Sequence, residues 1–231
     1  MPTEQDPWCT DKYLYFQMND TSRIPILHRQ IVKEVDRAGA RNILDYGCGD
    51  GRLMESFSEF EKYNFTLFDS DPEILRLVAH KFMGKDNVLV RTDSSQLSEG
   101  GYDAVVSSNV LMLMKSIEEL RLIVKQMRRL MASGGAVYVG ITHPCFLDHK
   151  FATYSNDFTD RFKEFDYFAN GADYKVHMTV GSVEIEIRDY FWNLSTIINQ
   201  FIASEFRLKL MVELRDIQPN NFPPFLFLEF C

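Results

Sequence analysis

A chain of 231 residues is long enough to bury one full α/β core and too short for two large domains, so a single domain with elaborations is expected. Its formal net charge of −8 and pI near 5.2 leave no electrostatic footprint for a polyanion, which makes nucleic acid an unfavoured partner. Four scattered cysteines (Cys9, Cys48, Cys145, Cys231), with no Cys-x-x-Cys pair, no His cluster at ligand spacing, no leader-like start and no long apolar run, point to reduced thiols, no metal and a cytoplasmic protein away from membranes.

Residues 1–12 carry acids and prolines and read as loose. An aromatic cluster follows, Tyr13, Leu14, Tyr15 and Phe16, either an amphipathic helix on the domain or a lid over a ligand. Pro25 opens a helix with Ile26, Leu27, Ile31, Val32 and Val35 on one face, stopped by Gly39 in a left-handed cap.

Residues 42–51, Asn-Ile-Leu-Asp-Tyr-Gly-Cys-Gly-Asp-Gly, read as strand and tight turn, with a helix expected over 53–60. Gly47, Gly49 and Gly51 permit positive φ and close approach of a ligand to the main chain. Unpaired N–H groups at the start of the following helix would suit an anion. The spacing is Gly-x-Gly-x-Gly rather than the dinucleotide pattern, and Asp45 just before it suits a ligand with an ammonium better than a pyrophosphate.

A second strand over 65–68 ends at Asp69, and Asp71-Pro72 is an N-cap and N1 pair for a helix over 73–82. A carboxylate at the end of a second strand, some twenty residues past the glycine turn, is where doubly wound folds grip ribose hydroxyls. Because Asp71 fits the capping role better, Asp69 is read as the ribose ligand, with Ser70 beside it. A third strand over 88–92 ends in Asp93-Ser94, which alone is a turn signal. The fourth, 102–109, ends at Asn109. Ser116 and Glu119 form a capping box for a helix ended by Gly134-Gly135, and the fifth strand, 136–142, is apolar throughout, as a strand buried on both faces should be. Five strands separated by helices make a parallel sheet whose order reverses beside the first strand, placing Gly47, Asp69 and Asp93 on one rim.

Beyond His143 the pattern changes. Residues 146–192 hold 12 of the chain's 31 aromatic residues, twice their share by length, and are interleaved with acids rather than bases, which disfavours a nucleic-acid stacking platform. Residues 174–180 and 183–190 alternate around Gly181-Ser182 as a two-residue hairpin. This insertion is read as the roof of an acceptor pocket, with a self-packed decoration or a homodimer contact as the alternative. A last helix over 194–204 and strands over 207–215 and 225–230 complete the chain.

Ile43-Leu44-Asp45-Tyr46-Gly47-Cys48-Gly49-Asp50-Gly51 resembles motif I of the class I S-adenosylmethionine-dependent methyltransferases. The resemblance covers about residues 40–142 by motif and 194–231 by pattern alone. It implies a Rossmann-like, doubly wound, seven-stranded α/β sheet, mostly parallel, with the last strand inserted antiparallel between the fifth and sixth. It also implies that the glycine turn holds the methionine end of the cofactor, that Asp93 and Ser94 meet adenine, that Asn109 faces the methyl group, and that a tyrosine such as Tyr15 closes over the cofactor. One departure is Glu205, where relatives often have glycine, which leaves the end of the last helix open.

The resulting division is an N-terminal helical cap (1–39), a cofactor-binding core (40–142), a substrate-roof insertion (143–193) and a C-terminal helix with two strands (194–231). The expected reaction is methyl transfer to an O, N or C atom of a small, aromatic or partly apolar acceptor. The alternatives are an RNA- or protein-modifying methyltransferase, which would need a basic face that pairs such as Arg128-Arg129 hardly supply, and a non-catalytic cofactor-binding protein. His143, at the crevice rim, is the one histidine placed to act as a base, though His143-Pro144 reads equally as a rigid turn. Asp148, His149 and Tyr154 are weaker candidates for substrate contact.

Overall fold

The computed structural model describes residues 19, 24–151, 154–216 and 221–231. Seven strands, β1 (Asn42–Tyr46), β2 (Asn64–Phe68), β3 (Val88–Arg91), β4 (Tyr102–Ser108), β5 (Met131–Thr142), β9 (Leu208–Leu214) and β10 (Phe225–Phe230), form one sheet in the order β3-β2-β1-β4-β5-β10-β9. Pairing is parallel from β3 through β5, and β10 lies antiparallel between β5 and β9. The order reverses between β1 and β4, so the crevice expected from the sequence opens above their carboxyl ends.

Alternate residues of each central strand enter opposite cores, which is why these strands read as unbroken apolar runs. Leu44, Val105, Val137 and Leu228 pack under α3 (Ile117–Leu130) and α4 (Leu194–Ala203). Ile43, Val106, Tyr138 and Phe227 pack under α1 (Arg29–Ala38) and α2 (Pro72–Lys81). Gly39 ends α1 at φ 68°, and Asp71 caps α2 by accepting from the N–H groups of Glu73 at 2.8 Å and Ile74 at 3.4 Å. Ser116 accepts from Glu119 N–H at 3.2 Å, while the Glu119 carboxylate takes the N–H of Lys115 at 2.7 Å, one residue earlier than the capping box predicts.

The helix expected over 53–60 is absent. Two 3₁₀ turns, Met54–Ser56 and Phe60–Lys62, stand in its place with Phe57 extended between them. An eight-residue helix is marginal by itself and yields to tertiary packing. Here the rings of Phe57, Phe60 and Tyr63 gather round Phe65 with centroids 5.3, 4.9 and 5.6 Å away. The β3–β4 connection likewise holds a single 3₁₀ turn, Ser94–Gln96, so α-helices separate the first five strands at only two of four connections. Strand β5 also begins earlier than expected. Gly134-Gly135 lies in an irregularity where β5 carries extra residues opposite Asp103, rather than ending the helix.

Residues 143–193 build a second sheet, β6 (Tyr154–Asn156), β7 (Asp173–Val180) and β8 (Val183–Tyr190), all antiparallel, with Gly181 at φ 59° in the hairpin turn. It closes on an aromatic core of its own that includes Phe151, Tyr154, Phe158, Tyr174 and Phe191. Strand β6 is not legible in the sequence, being only three residues long.

Helix α4 ends at Ala203, and the residue that reverses the chain is Glu205, at φ 64°. Glu205 N–H donates to Ile202 O at 3.0 Å and Phe206 N–H to Phe201 O at 3.1 Å, the bonding of a Schellman cap, with the Phe201 and Phe206 rings in contact. A side chain at that φ costs about 1 kcal/mol relative to glycine. Glu205→Gly should therefore raise the melting temperature by about 2–4 °C, read by calorimetry; a lower value would show that the Glu205 side chain itself stabilises the cap.

Candidate active site

The turn after β1 is tied to β2 through backbone bonds: the N–H groups of Gly47 and Cys48 both donate to Phe68 O, at 2.8 and 3.0 Å. Gly47 has φ 82°, and a Cβ there would lie 2.4 Å from Val110 Cγ2, so only glycine fits. Gly49 differs: at φ 52° nothing lies within 4 Å of the place a Cβ would occupy, leaving open space above its backbone. Its N–H donates to Asp69 Oδ2 at 2.9 Å, and Asp69 Oδ1 accepts from Asp71 N–H at 3.1 Å. Asp69 thus locks the turn to the start of α2. Burial raises its pKa, and the backbone donors partly offset that rise.

Asp45 is 2 % exposed, and its Oδ2 has no hydrogen-bond partner. Burial first, then the charges of Asp69 and Asp50, push its pKa up to about 8. The same surroundings drive the Cys48 thiol well above its ordinary value. A buried carboxylate facing two further acids lacks a cation. The helix N-terminus expected here does not form, and the N–H groups of Gly51 and Arg52 are used within the turn, by Cys48 O at 2.9 Å and Asp50 Oδ1 at 3.2 Å. The site therefore offers an acid and open backbone rather than a helix dipole.

Along the rim the strand order sets out Asp93, Asp69, Asp45 with the glycine turn, and Asn109, from β3 to β4. Asp93 is exposed and accepts from Ser95 N–H at 2.8 Å, which lowers its pKa, and Ser94 opens the 3₁₀ turn that follows. Ser70 is exposed just past β2. Asn109 holds φ 56°, its N–H donates to Gly140 O at 2.8 Å, and its Oδ1 is buried without a partner, as is Ser108 Oγ beside it. Asparagine tolerates this left-handed conformation better than most residues, and its buried unpaired oxygen faces the end of β4 without a protein donor. Tyr15 lies outside the described residues.

His143 departs from the sequence reading. It does sit at the end of β5, but it is 2 % exposed and both ring nitrogens are committed: Nδ1 accepts from Cys145 N–H at 3.2 Å, which leaves Nε2 to donate to Glu213 at 3.3 Å. Burial lowers its pKa against the opposing pull of Glu213. The ring is neutral with no free lone pair, a tie between β5 and β9 rather than a base. Tyr154 is committed too, donating to Pro224 O at 3.3 Å, while His149 pairs with Asp148 at 2.8 Å and packs on Phe222. Under the second sheet a narrow cleft, walled by Met112, Thr142, Tyr174, Tyr190, Phe191 and Trp192, has room for about 20 Å³, the size of one water.

Residues 43–135 match the model of a methyltransferase domain. The chain is similar to the class I S-adenosylmethionine-dependent methyltransferases, in sequence over these residues and in fold over most of its length. It is 25 % identical over 198 residues to the N-demethylindolmycin N-methyltransferase of Streptomyces griseus, covering 84 % of this chain and 81 % of that one. Among solved structures it resembles the CcbJ methyltransferase from Streptomyces caelestis, with a TM-score of 0.66, 16 % identity, and 88 % and 94 % of the two chains covered. It also resembles the N-methyltransferase NodS from Bradyrhizobium japonicum, with a TM-score of 0.58, 15 % identity, and 97 % and 93 % covered.

Among the described residues, no group of three or more His, Cys, Asp or Glu could hold a metal ion, and no helix is long and apolar enough to cross a membrane. If His143 is a structural tie, His143→Ala should cost about 1–3 kcal/mol by emptying a buried site and leaving the Cys145 N–H without its acceptor and lower the melting temperature, while the pH profile of turnover keeps its shape. Loss of the acidic limb of that profile in the variant would restore His143 as a base.

Proposed function

We propose that the chain transfers a methyl group from S-adenosylmethionine to a nitrogen atom of a small, partly apolar molecule. The observation that carries the proposal is the unpartnered carboxylate of Asp45 beside the open backbone of Gly49. A ligand that brings an ammonium to this point satisfies Asp45 and relieves its repulsion with Asp50 and Asp69. The methionine end of the cofactor carries such a group. Asp69, fixed by Gly49 and Asp71 N–H, retains lone pairs for ribose hydroxyls, and Asp93 with Ser94 is assigned to the adenine edge.

S-adenosylmethionine, when bound, supplies an already activated methyl group on a sulfonium. The chain's task is then alignment and exclusion of water, and effective molarities on the order of 10⁵ M or more for well-aligned groups make positioning sufficient for most of the acceleration. Asn109 and Ser108, with unpaired oxygens at the end of β4, orient groups over the crevice. Nitrogen is favoured because the relatives named for their reaction, the N-demethylindolmycin enzyme and NodS, are N-methyltransferases. The acidic chain supports a small-molecule acceptor over a nucleic acid.

Asp45→Asn tests the reading with two opposed outcomes. In the unfolded chain this carboxyl ionises near 3.8, whereas in the folded free protein it stays neutral up to about 8. The folded state holds the extra proton between those values, so Asp45 erodes stability as pH rises through that window. At pH 8 the variant should melt higher than the parent while binding S-adenosylhomocysteine at least tenfold more weakly by calorimetry. Binding to the parent should tighten from pH 6 to 8, with release of a proton. A variant that binds the nucleoside as well as the parent would overturn the proposal.

A further inference from the structure

On the face of the large sheet that carries α3 and α4, the β3–β4 connection supplies a single 3₁₀ turn where a covering helix would lie. It leaves a groove over β1, β2 and β3 with room for about 270 Å³, against about 20 Å³ in the cleft under the second sheet. That is close to the lower end of the roughly 300–1,000 Å³ typical of small-molecule sites. Positions that share their face with the core residues Leu44 and Phe68 are polar here. Asn42 and Asn64 stand side by side on β1 and β2, and Asn87, whose O takes the N–H of Phe65, extends the row to the start of β3. Two residues further along come Thr66 and Leu89, and two beyond them Arg91.

The asparagine row is pinned by its own amides. Asn42 Nδ2 donates to Asp103 at 3.2 Å, Asn64 Nδ2 to Asn42 Oδ1 at 3.1 Å, and Asn87 Nδ2 to Phe60 O and Tyr63 O at 3.0 and 2.9 Å. Asn64 Oδ1 and Asn87 Oδ1 are left without a protein donor. Arg91, half-buried at the other end, donates Nη1 to Val90 O at 3.1 Å and pairs with no carboxylate among the described residues. From Asn87 to Arg91 is four residues of β3, roughly 13 Å. A bare anion reaches only the guanidinium.

The groove therefore offers carbonyl acceptors at one end and an unpaired cation at the other, with the hydroxyls of Thr66 and Ser98 in its walls and Leu89, 48 % exposed, as an apolar contact. A ligand that only donates or only accepts would leave half of these groups unpaired, whereas hydroxyls do both. Phe65 and Tyr102 are buried, so no ring face is open for a nucleobase to stack on. The backbones of β1 and β2 are paired on both sides, so no ladder is open beneath the groove for a peptide.

We propose that this groove binds a small polyhydroxy ligand with one anionic group, of the sugar phosphate or sugar acid class, its anion on Arg91 and its hydroxyls on Asn64 and Asn87. Asp86, exposed beside Asn87, accepts a further hydroxyl and repels a second anion. The site lies on the face of the sheet and not on the rim that carries Asp45 and Asp69, so ligand and cofactor bind together, and it stands apart from the methyl-transfer reading.

Calorimetry on the full chain with glucose 6-phosphate, glucuronate, glucose and inorganic phosphate tests the proposal. One of the two anionic sugars should bind with a Kd below about 1 mM, at least tenfold more tightly than glucose or phosphate, and which of them does so identifies the anion. Arg91→Gln should abolish that margin, and Asn64→Ala should weaken the anionic sugar about fivefold, while S-adenosylhomocysteine uptake stays unchanged in both. Arg91→Met serves as a second uncharged variant should the first fold poorly. No saturable binding of either anionic sugar, a margin that survives loss of the Arg91 charge, or competition between the sugar and S-adenosylhomocysteine overturns the proposal.

Discussion

The hydrogen bond from Gly49 N–H to Asp69 is the constraint on which the crevice depends. It joins the turn after β1 to the end of β2, and through Asp69 and Asp71 it reaches the first turn of α2. Three separate stretches of chain are thereby held in one geometry by a single carboxylate. The arrangement has an electrostatic cost, because burial and the charges of Asp69 and Asp50 raise the proton affinity of Asp45. Folded but empty, the protein avoids that cost by keeping Asp45 protonated up to about pH 8. A cation that enters the turn takes the place of that proton, so binding here is linked to proton release.

The two halves of the crevice are built on different physics. The cofactor side is polar and made from strand ends whose positions follow from the parallel register of β1, β2 and β4. The cleft beneath the insertion is apolar and shared, lined by Tyr174, Tyr190 and Phe191 of the insertion and by Met112, Ile141 and Thr142 of the main fold. Trp192 stitches the two together, its indole N–H donating to Met114 O at 3.0 Å.

Much of this architecture was legible in the sequence. Strands β1 to β5 and β10 could be read from apolar runs, the cap of α2 from Asp71-Pro72, and the hairpin from Gly181-Ser182, because each follows from local chemistry. The acids at strand ends were legible for the same reason, since strand order converts position along the chain into position along a rim. What could not be read depended on distant packing. Residues 53–60 have helical spacing, yet the aromatic contacts with Phe65 decide for 3₁₀ turns. His143 has the right place for a base, and only Glu213 on β9 and the backbone of Cys145 reveal that its nitrogens are taken. Glu205 shows the reverse case, a local departure that the fold absorbs by accepting a side chain in a left-handed cap.

The second sheet closes on its own aromatic core, separate from the two cores that sandwich the large sheet. Its stability is therefore largely self-supplied. Changes along the inner faces of β7 and β8 fall within that third core and leave the backbone bonds around the glycine turn untouched. In engineering terms the insertion is an exchangeable cartridge seated on a fixed base.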